Sequence, residues 1–153
     1  TFFEIAVPDY FKHSFFIEGG ALAVENTLKA AIDWKVRKNF KKGYTEEKGH
    51  QIIHFRQAFH GRSGYTMSLT NTDPNKVMYY PKFNWPRVDN PKITFPLNEK
   101  NLAEVIAAEE KTVEQIKAAL NANKDDIAAV IIEPIQGEGG DNQFRKEFFV
   151  KLR

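Results

Sequence analysis

The sequence contains no cysteine, which excludes a disulfide framework and thiolate chemistry. No apolar run approaches the roughly 18 residues that a membrane-spanning helix needs. Charge of one sign is not in excess, because the net charge is only +2. The histidines lack metal-ligand spacing, since an extended strand would hold His50 and His54 about 13 Å apart. We therefore expect a cytoplasmic protein with no metal site, no nucleic-acid partner and no membrane partner.

What is present is the composition of an ordinary globular domain. The 153 residues, 42% of them hydrophobic, are enough for one core. Short apolar or β-branched runs predict strands at 14–17, 51–55 and 127–132. Helical periodicity begins at Ala21, and again after Asn98, which is a plausible N-cap. This alternation predicts the α/β class, with 127–132 as the most buried strand and a proline-rich surface segment over 70–96.

Glycines separate the first predicted strand from the first predicted helix, in the segment Glu18–Glu25. In an open α/β sheet, ligands gather beyond the carboxyl ends of the strands. Gly19 and Gly20 would let a ligand approach the backbone, and the unpaired N–H groups of the helix start suit a phosphate. The alternative is a tight turn without a ligand. The segment matches neither the dinucleotide fingerprint nor the P-loop.

A second glycine-flanked loop, Ala58–Gly64, follows the second predicted strand. Its Phe59 could stack on a flat ring, and Arg62 could hold a carboxylate in a two-point contact. His60 could donate or accept a hydrogen bond near a ligand. The alternatives are a core phenylalanine, a solvated arginine and a packed loop histidine.

The third segment of interest is Glu133–Gly140, directly after the third predicted strand. Glu133 and Glu138 lie five residues apart with Gly137 between them, so both carboxylates could face one cavity. A general acid and base pair is conceivable there. The alternative is one structural and one solvated glutamate.

Together, in this order and spacing, the three motifs resemble those of the class III aminotransferases, which are pyridoxal-phosphate (PLP) enzymes of fold type I. Within that group, the segments Phe16–Asn26, Ala58–Thr66 and Glu133–Asp141 are most similar to the L-lysine 6-aminotransferases. The similarity extends through Leu69–Thr72 and Pro81–Arg87. Other class III members share the Glu-Pro-Ile-Gln-Gly-Glu element, so that element alone does not identify the substrate.

The resemblance implies a three-layer αβα fold with a mostly parallel sheet. Residues 1–153 would then be part of the PLP-binding large domain, truncated at both ends. The backbone amides of Gly20 and Ala21 would hold the cofactor phosphate. Phe59 would stack on the pyridine ring, and Glu133 would support the cofactor.

For the substrates, the resemblance implies that Arg62 binds the α-carboxylate. Glu138 would act as a gate that pairs with an arginine late in the chain for one substrate and moves aside for the other. The Schiff-base lysine and the aspartate that pairs with the pyridinium nitrogen would both lie after Arg153. No catalytic residue is therefore assigned within these 153 residues, and we expect this chain alone to be inactive.

The intact protein would be a homodimer that transfers the terminal amino group of L-lysine to 2-oxoglutarate. Two alternatives stay open from the sequence. One is an aminotransferase for ornithine or another ω-amino acid. The other is a noncatalytic phosphate-binding or dimerisation module built on the same sheet.

Overall fold

The computed structural model describes residues 2–153, apart from the side chain of Phe3. Helices and strands follow one another along the chain, with 3-10 turns at Thr66–Ser68 and Pro74–Lys76. The elements, in chain order, are α1 (Phe2–Ile5), α2 (Gly20–Lys41), β1 (Gln51–Phe55), β2 (Arg87–Val88), α3 (Glu99–Ala122), β3 (Ile127–Ile131), β4 (Ile135–Gln136), β5 (Asn142–Gln143) and α4 (Lys146–Leu152).

The main sheet is parallel, and β1 lies in it between β2 and β3. His54 of β1 is in register with Arg87 on one side and with Ile131 on the other. β4 and β5 form a separate antiparallel pair. Because β1 and β3 run in the same direction, the loops after both strands open at the same edge of the sheet. The expected α/β class is confirmed.

Helices cover both faces of this sheet. The alternation of side chains along a strand sends Ile52 and Ile53 of β1 to opposite faces. Ile52 packs in one apolar cluster with Leu28 of α2. Ile53 packs in the other cluster with Ile116 of α3 and Phe148 of α4. The structure therefore has the three αβα layers that the family resemblance implied.

The helix boundaries follow from local sequence. α2 begins at Gly20, one residue before the predicted start, and α3 begins directly after Asn98. The Asn98 side chain accepts a hydrogen bond from the Asn101 N–H at 2.9 Å, as an N-cap residue should. The proline-rich segment contributes only one 3-10 turn, Pro74–Lys76, and the short β2, in agreement with its predicted surface course.

The strand predicted at 14–17 is wrong. These residues are irregular, and Phe15 and Phe16 are 74% and 77% exposed. Their apolar character matched that of a buried strand, but a strand also needs a neighbour for its backbone hydrogen bonds. Among the described residues, no strand pairs with this segment.

The prediction that 127–132 is the most buried strand is also wrong. β3 lies at the edge of the three-stranded sheet, and its Val130 is 41% exposed. β1 is the central strand, and Ile52, Ile53 and Phe55 are all inaccessible to solvent. An apolar sequence indicates that a strand tends to be buried, but it does not indicate the order of strands in the sheet.

Along residues 2–153, no helix is long and apolar enough to cross a membrane.

Candidate functional site

The start of α2 is open to solvent. Gly19 precedes it with φ +81°, a conformation that glycine adopts without strain. Apart from its chain neighbours and the backbone of α2, no atom lies within 4 Å of the position that a Cβ on Gly20 would occupy. The first N–H groups of a helix have no acceptor within the helix, and the helix dipole places partial positive charge there. This end of α2 therefore presents donors to open space.

The loop after β1 packs against that helix start. Gly61, with φ +115°, lies so close to α2 that a Cβ on it would be 2.6 Å from the Cβ of Ala21. Ser63 Oγ donates a hydrogen bond to Glu25 Oε2 at 2.6 Å, and this bond lowers the pKa of Glu25. Two contacts therefore join the first motif to the second.

Glu133 joins the second motif to the third. Its Oε1 accepts a hydrogen bond from the backbone N–H of Phe59 at 2.8 Å. Burial raises the pKa of Glu133, and the bond from Phe59 opposes that rise. Glu133 therefore holds the backbone of Phe59 in place. This contact positions the Cα from which the Phe59 side chain extends.

Arg62 is exposed on the same loop. Within the part of the chain that the structure describes, its guanidinium has no recorded ion-pair partner. Arg62 is therefore available to an external carboxylate, for which its planar fork of donors is well suited.

Glu138 lies on a tight turn after β4. The N–H groups of Gly140 and Asp141 both donate to the Gly137 carbonyl, at 3.1 Å each. Gly139 touches the carbonyl oxygen of Gln57 so closely that no Cβ would fit there. The turn is therefore held against the segment that leads from β1 to Phe59.

The structure gives Glu138 two partners that the sequence did not reveal. Its Oε1 accepts a hydrogen bond from Thr72 Oγ1 at 3.1 Å and forms an ion pair with Lys76 Nζ. Both partners come from the proline-rich segment. Sequence spacing offered no signal for these contacts, because Lys76 and Glu138 are 62 residues apart.

A buried cluster of amide side chains supports the turn from below. Gln136, which is inaccessible to solvent, accepts hydrogen bonds from Asn90 Nδ2 at 2.7 Å and Asn142 Nδ2 at 3.0 Å. Its own Nε2 donates to the Arg56 carbonyl at 3.0 Å. Asn142 also donates to the Gly139 carbonyl at 3.0 Å. The cluster ties the turn to the end of β1, and sequence reasoning missed it.

His60 lies in the loop after β1 and is buried, and burial lowers its pKa to about 4. It is therefore neutral near pH 7. Its Nε2 has no hydrogen-bond partner among the described residues.

Within residues 2–153, no group of three metal-ligating side chains is found.

The chain matches the family model of the class III aminotransferases over residues 3–153. It belongs to this family. An L-lysine-epsilon aminotransferase from Mycobacterium tuberculosis is 50% identical over 153 residues, which are 100% of this chain and 33% of that protein. One from Amycolatopsis lactamdurans is 48% identical over 155 residues, which are 100% of this chain and 34% of that protein.

Solved structures agree with this assignment. The structure of lysine aminotransferase from M. tuberculosis superimposes with a TM-score of 0.93 at 49% identity, covering 99% of this chain and 34% of that chain. This class III aminotransferase chain thus spans about one third of the length of the relatives it matches.

PLP has a phosphate and a flat aromatic ring, and the residues present fit both. The phosphate needs convergent N–H donors and room for close approach, which Gly20 and Ala21 at the open start of α2 provide. The ring needs an apolar face, which Phe59 offers on the loop packed against Ala21. The class III aminotransferase chain therefore carries compatible groups for both parts of the cofactor.

Proposed function

We propose that the intact protein is a PLP-dependent aminotransferase that transfers the terminal amino group of L-lysine to 2-oxoglutarate. The observation that carries the proposal is 50% identity to an L-lysine-epsilon aminotransferase across the whole chain. The contacts that bring the three motifs to one edge of the sheet support it. The wider class III family supports transamination, whereas the lysine donor and the 2-oxoglutarate acceptor are the finer part of the proposal.

In this proposal the cofactor is held from two sides. Backbone N–H groups of Gly20 and Ala21 bind its phosphate, and Phe59 covers one face of its ring. Glu133 positions Phe59 through the backbone hydrogen bond. When bound, PLP supplies an electron sink that eases loss of the proton next to the reacting nitrogen.

Arg62 would hold the α-carboxylate of L-lysine by two parallel hydrogen bonds, which leaves the distal amine directed at the cofactor. Glu138 would serve as the gate between the two substrates. The Schiff-base lysine and the aspartate for the pyridinium nitrogen would be supplied by the intact protein outside this chain.

We also propose that the intact protein is a cytoplasmic homodimer. Light scattering of the purified protein tests the dimer, and we expect a mass twice that of one subunit. A monomer that turns over at the same specific rate at every concentration would contradict it.

The donor is tested by comparing kcat/KM for L-lysine and L-ornithine with 2-oxoglutarate as acceptor. One methylene group changes discrimination by roughly 10- to 200-fold, so we expect L-lysine to be preferred by at least about tenfold. A preference for L-ornithine would make the enzyme an ornithine aminotransferase. Failure of every amine to react, with PLP bound, would favour a noncatalytic module.

A further inference from the structure

The segment Leu69–Thr72 is part of the family resemblance, but none of the three motifs contains it. Within this segment, Thr70 is inaccessible to solvent. Its Oγ1 accepts a hydrogen bond from the His60 N–H at 3.0 Å and donates one to the Gly61 carbonyl at 2.7 Å. One buried hydroxyl therefore bridges two backbone groups of the loop after β1.

These two backbone groups lie next to the two candidate ligand-binding residues of that loop. A peptide bond is planar, so the His60 N–H shares a rigid plane with the Phe59 carbonyl. For the same reason, the Gly61 carbonyl shares a plane with the Arg62 N–H. On the other side of Phe59, Glu133 Oε1 accepts from the Phe59 N–H. Both peptides that flank Phe59 are thus anchored, and so is the peptide that precedes Arg62.

Arg62 needs such an anchor because a glycine precedes it. Gly61 has φ +115°, and glycine has more conformational freedom than any other residue. The close approach of Gly61 to Ala21 determines where Gly61 lies, but it leaves the orientation of the following peptide plane to hydrogen bonds. The bond from the Thr70 hydroxyl supplies that orientation.

Thr70 is itself held firmly. Its β-branched side chain has few rotamers, and its N–H donates to the Thr66 carbonyl at 3.1 Å. The next residue, Asn71, donates its N–H to the Ala58 carbonyl at 2.9 Å, and its Oδ1 accepts from the Gln57 N–H at 2.6 Å. The hydroxyl is therefore fixed to the loop and shielded from water that would compete for its partners.

We propose that Thr70 is a positioning residue whose hydroxyl fixes the Phe59 ring and the Arg62 guanidinium relative to each other. This inference rests on the proposed function, in which the ring covers the cofactor and the guanidinium holds the α-carboxylate of L-lysine. The distal amine of L-lysine reaches the cofactor only if these two groups are correctly spaced. Because Thr70 is buried, it sets this spacing through the loop backbone, without a contact of its own to substrate or cofactor.

The test compares two substitutions in the intact, PLP-loaded protein. Thr70→Val keeps the shape of the side chain but removes the hydroxyl, whereas Thr70→Ser keeps the hydroxyl. We expect Thr70→Val to lower kcat/KM for L-lysine by about 10- to 100-fold, as a misplaced binding group does. Cadaverine, the diamine that has no carboxylate for Arg62 to hold, should lose less. Thr70→Ser should remain within about threefold of wild type, because both hydrogen bonds are kept.

A double-mutant cycle tests whether Thr70 acts through Arg62. If it does, Thr70→Val should reduce kcat/KM for L-lysine much less in an Arg62→Lys background than in wild type, since the two losses would not be independent. Losses that multiply in full would contradict the inference.

Visible circular dichroism of bound PLP tests the effect on Phe59 without turnover. We expect Thr70→Val to change this signal, because a displaced Phe59 ring alters the asymmetric surroundings of the cofactor. Thr70→Ser should keep the wild-type signal.

Thr112→Val is the matched control. Thr112 is also inaccessible to solvent, but its hydroxyl donates to the Ala108 carbonyl within α3 at 2.9 Å. This variant therefore loses a buried hydroxyl far from the loop in sequence. It should change neither the dichroism of bound PLP nor the ratio of kcat/KM for L-lysine to that for cadaverine.

The inference is wrong if Thr70→Val, like Thr112→Val, keeps the wild-type dichroism and the wild-type ratio. Thr70 would then only satisfy buried backbone groups. If Thr70→Val does not fold, Thr70→Ala, which removes the hydroxyl with a smaller side chain, takes its place in the same comparison.

The dichroism also distinguishes failure of this inference from failure of the proposed function. A wild-type protein that binds PLP but does not transaminate L-lysine would overturn the proposed function. In that case, a signal changed by Thr70→Val and kept by Thr70→Ser would still support the positioning of Phe59 by Thr70, and an unchanged signal would overturn it.

Discussion

Arg62 shows how much of substrate recognition can depend on the shape of one side chain. Its guanidinium is exposed and offers planar paired donors, whereas lysine offers a point charge. We predict that Arg62→Lys lowers kcat/KM for L-lysine by about 10- to 100-fold, the loss of one charge-assisted contact. Cadaverine, which lacks the carboxylate, should lose less. Steady-state rates with both amines decide this, and equal losses would show that Arg62 acts on the fold or the cofactor.

Substitutions of Gly20 can distinguish an effect on cofactor binding from an effect on folding. No other part of the described chain lies within 4 Å of the position of its missing Cβ, so a side chain there would not clash with the described fold. We predict that Gly20→Val folds normally but retains PLP at least about tenfold less well, because a branched side chain blocks the approach to the backbone N–H groups. Absorbance of bound PLP after dialysis measures this. Gly20→Ala, with a single methyl group, should have an intermediate effect.

If Gly20→Val kept its PLP after dialysis, the phosphate would have to bind elsewhere. A loss of helical circular dichroism along with PLP would likewise contradict the prediction, since it would show that the introduced side chain disturbs α2 itself.

At the level of residues, contacts within one turn of helix could be predicted and distant ones could not. The Glu25–Lys29 pair forms at 3.2 Å, as its four-residue spacing predicts. The Lys76–Glu138 pair depends on where two separate segments cross. Helix geometry is the same in every helix, but that crossing exists only in the complete fold.

At the level of elements, the contact between the loop after β1 and the start of α2 leaves no room for an added side chain. Gly61 has positive φ, and a Cβ on it would overlap Ala21. We predict that Gly61→Ala lowers the free energy of unfolding by about 1–3 kcal/mol and weakens PLP retention, because the loop must move away from α2. Chemical denaturation and dialysis measure the two effects.

Gly64 provides the matched control for Gly61. It lies in the same loop, its φ is not in the left-handed range, and no atom lies within 4 Å of its Cβ position. Gly64→Ala should therefore change neither stability nor PLP retention appreciably. If both alanine variants behaved alike, close packing at Gly61 would not be what holds the loop.

The helix α3 could be predicted from two signals at once. α3 has a capping side chain at Asn98 and an apolar face, in which Val105 and Ile116 are buried. The segment 14–17 had only apolar character, and it forms no strand. Exposed apolar residues can also form part of an interaction surface, so apolar character alone does not define a strand.

At the level of the whole molecule, the convergence of the second and third motifs could be anticipated, but their contacts and the position of the first motif could not. Parallel strands end at one edge of the sheet, which brings the loops after β1 and β3 together. The amide cluster around Gln136 arises only once Asn90, Asn142 and the Arg56 carbonyl share one buried space. Its members are ordinary polar residues in sequence, so no pattern marks them.

The stability of the whole molecule should depend on pH through two buried histidines. His54 and His60 are 1% and 8% exposed. Burial, helped at His54 by the charge of Arg87, lowers the pKa of both to about 4 from the ordinary histidine value of 6.5. Each histidine therefore binds a proton more readily in the unfolded chain than in the folded one.

The direction of the effect follows from that difference. Above about pH 6.5 both histidines are neutral in either state, so stability is at its full value. As the pH falls from about 6.5 towards about 4, only the unfolded chain gains protons, and each histidine lowers the free energy of unfolding by up to about 1.4 kcal/mol per pH unit.

We predict that His60→Gln reduces this pH slope, whatever it does to stability at neutral pH. Urea denaturation of the intact protein between about pH 7.5 and about pH 5 measures the slope across that window. His50→Gln, which changes an exposed histidine beside β1, is the control and should keep the wild-type slope. If the slopes of His60→Gln and His50→Gln were equal, His60 would already accept protons in the folded protein. The loop after β1 would then be more open to water than the burial of His60 indicates.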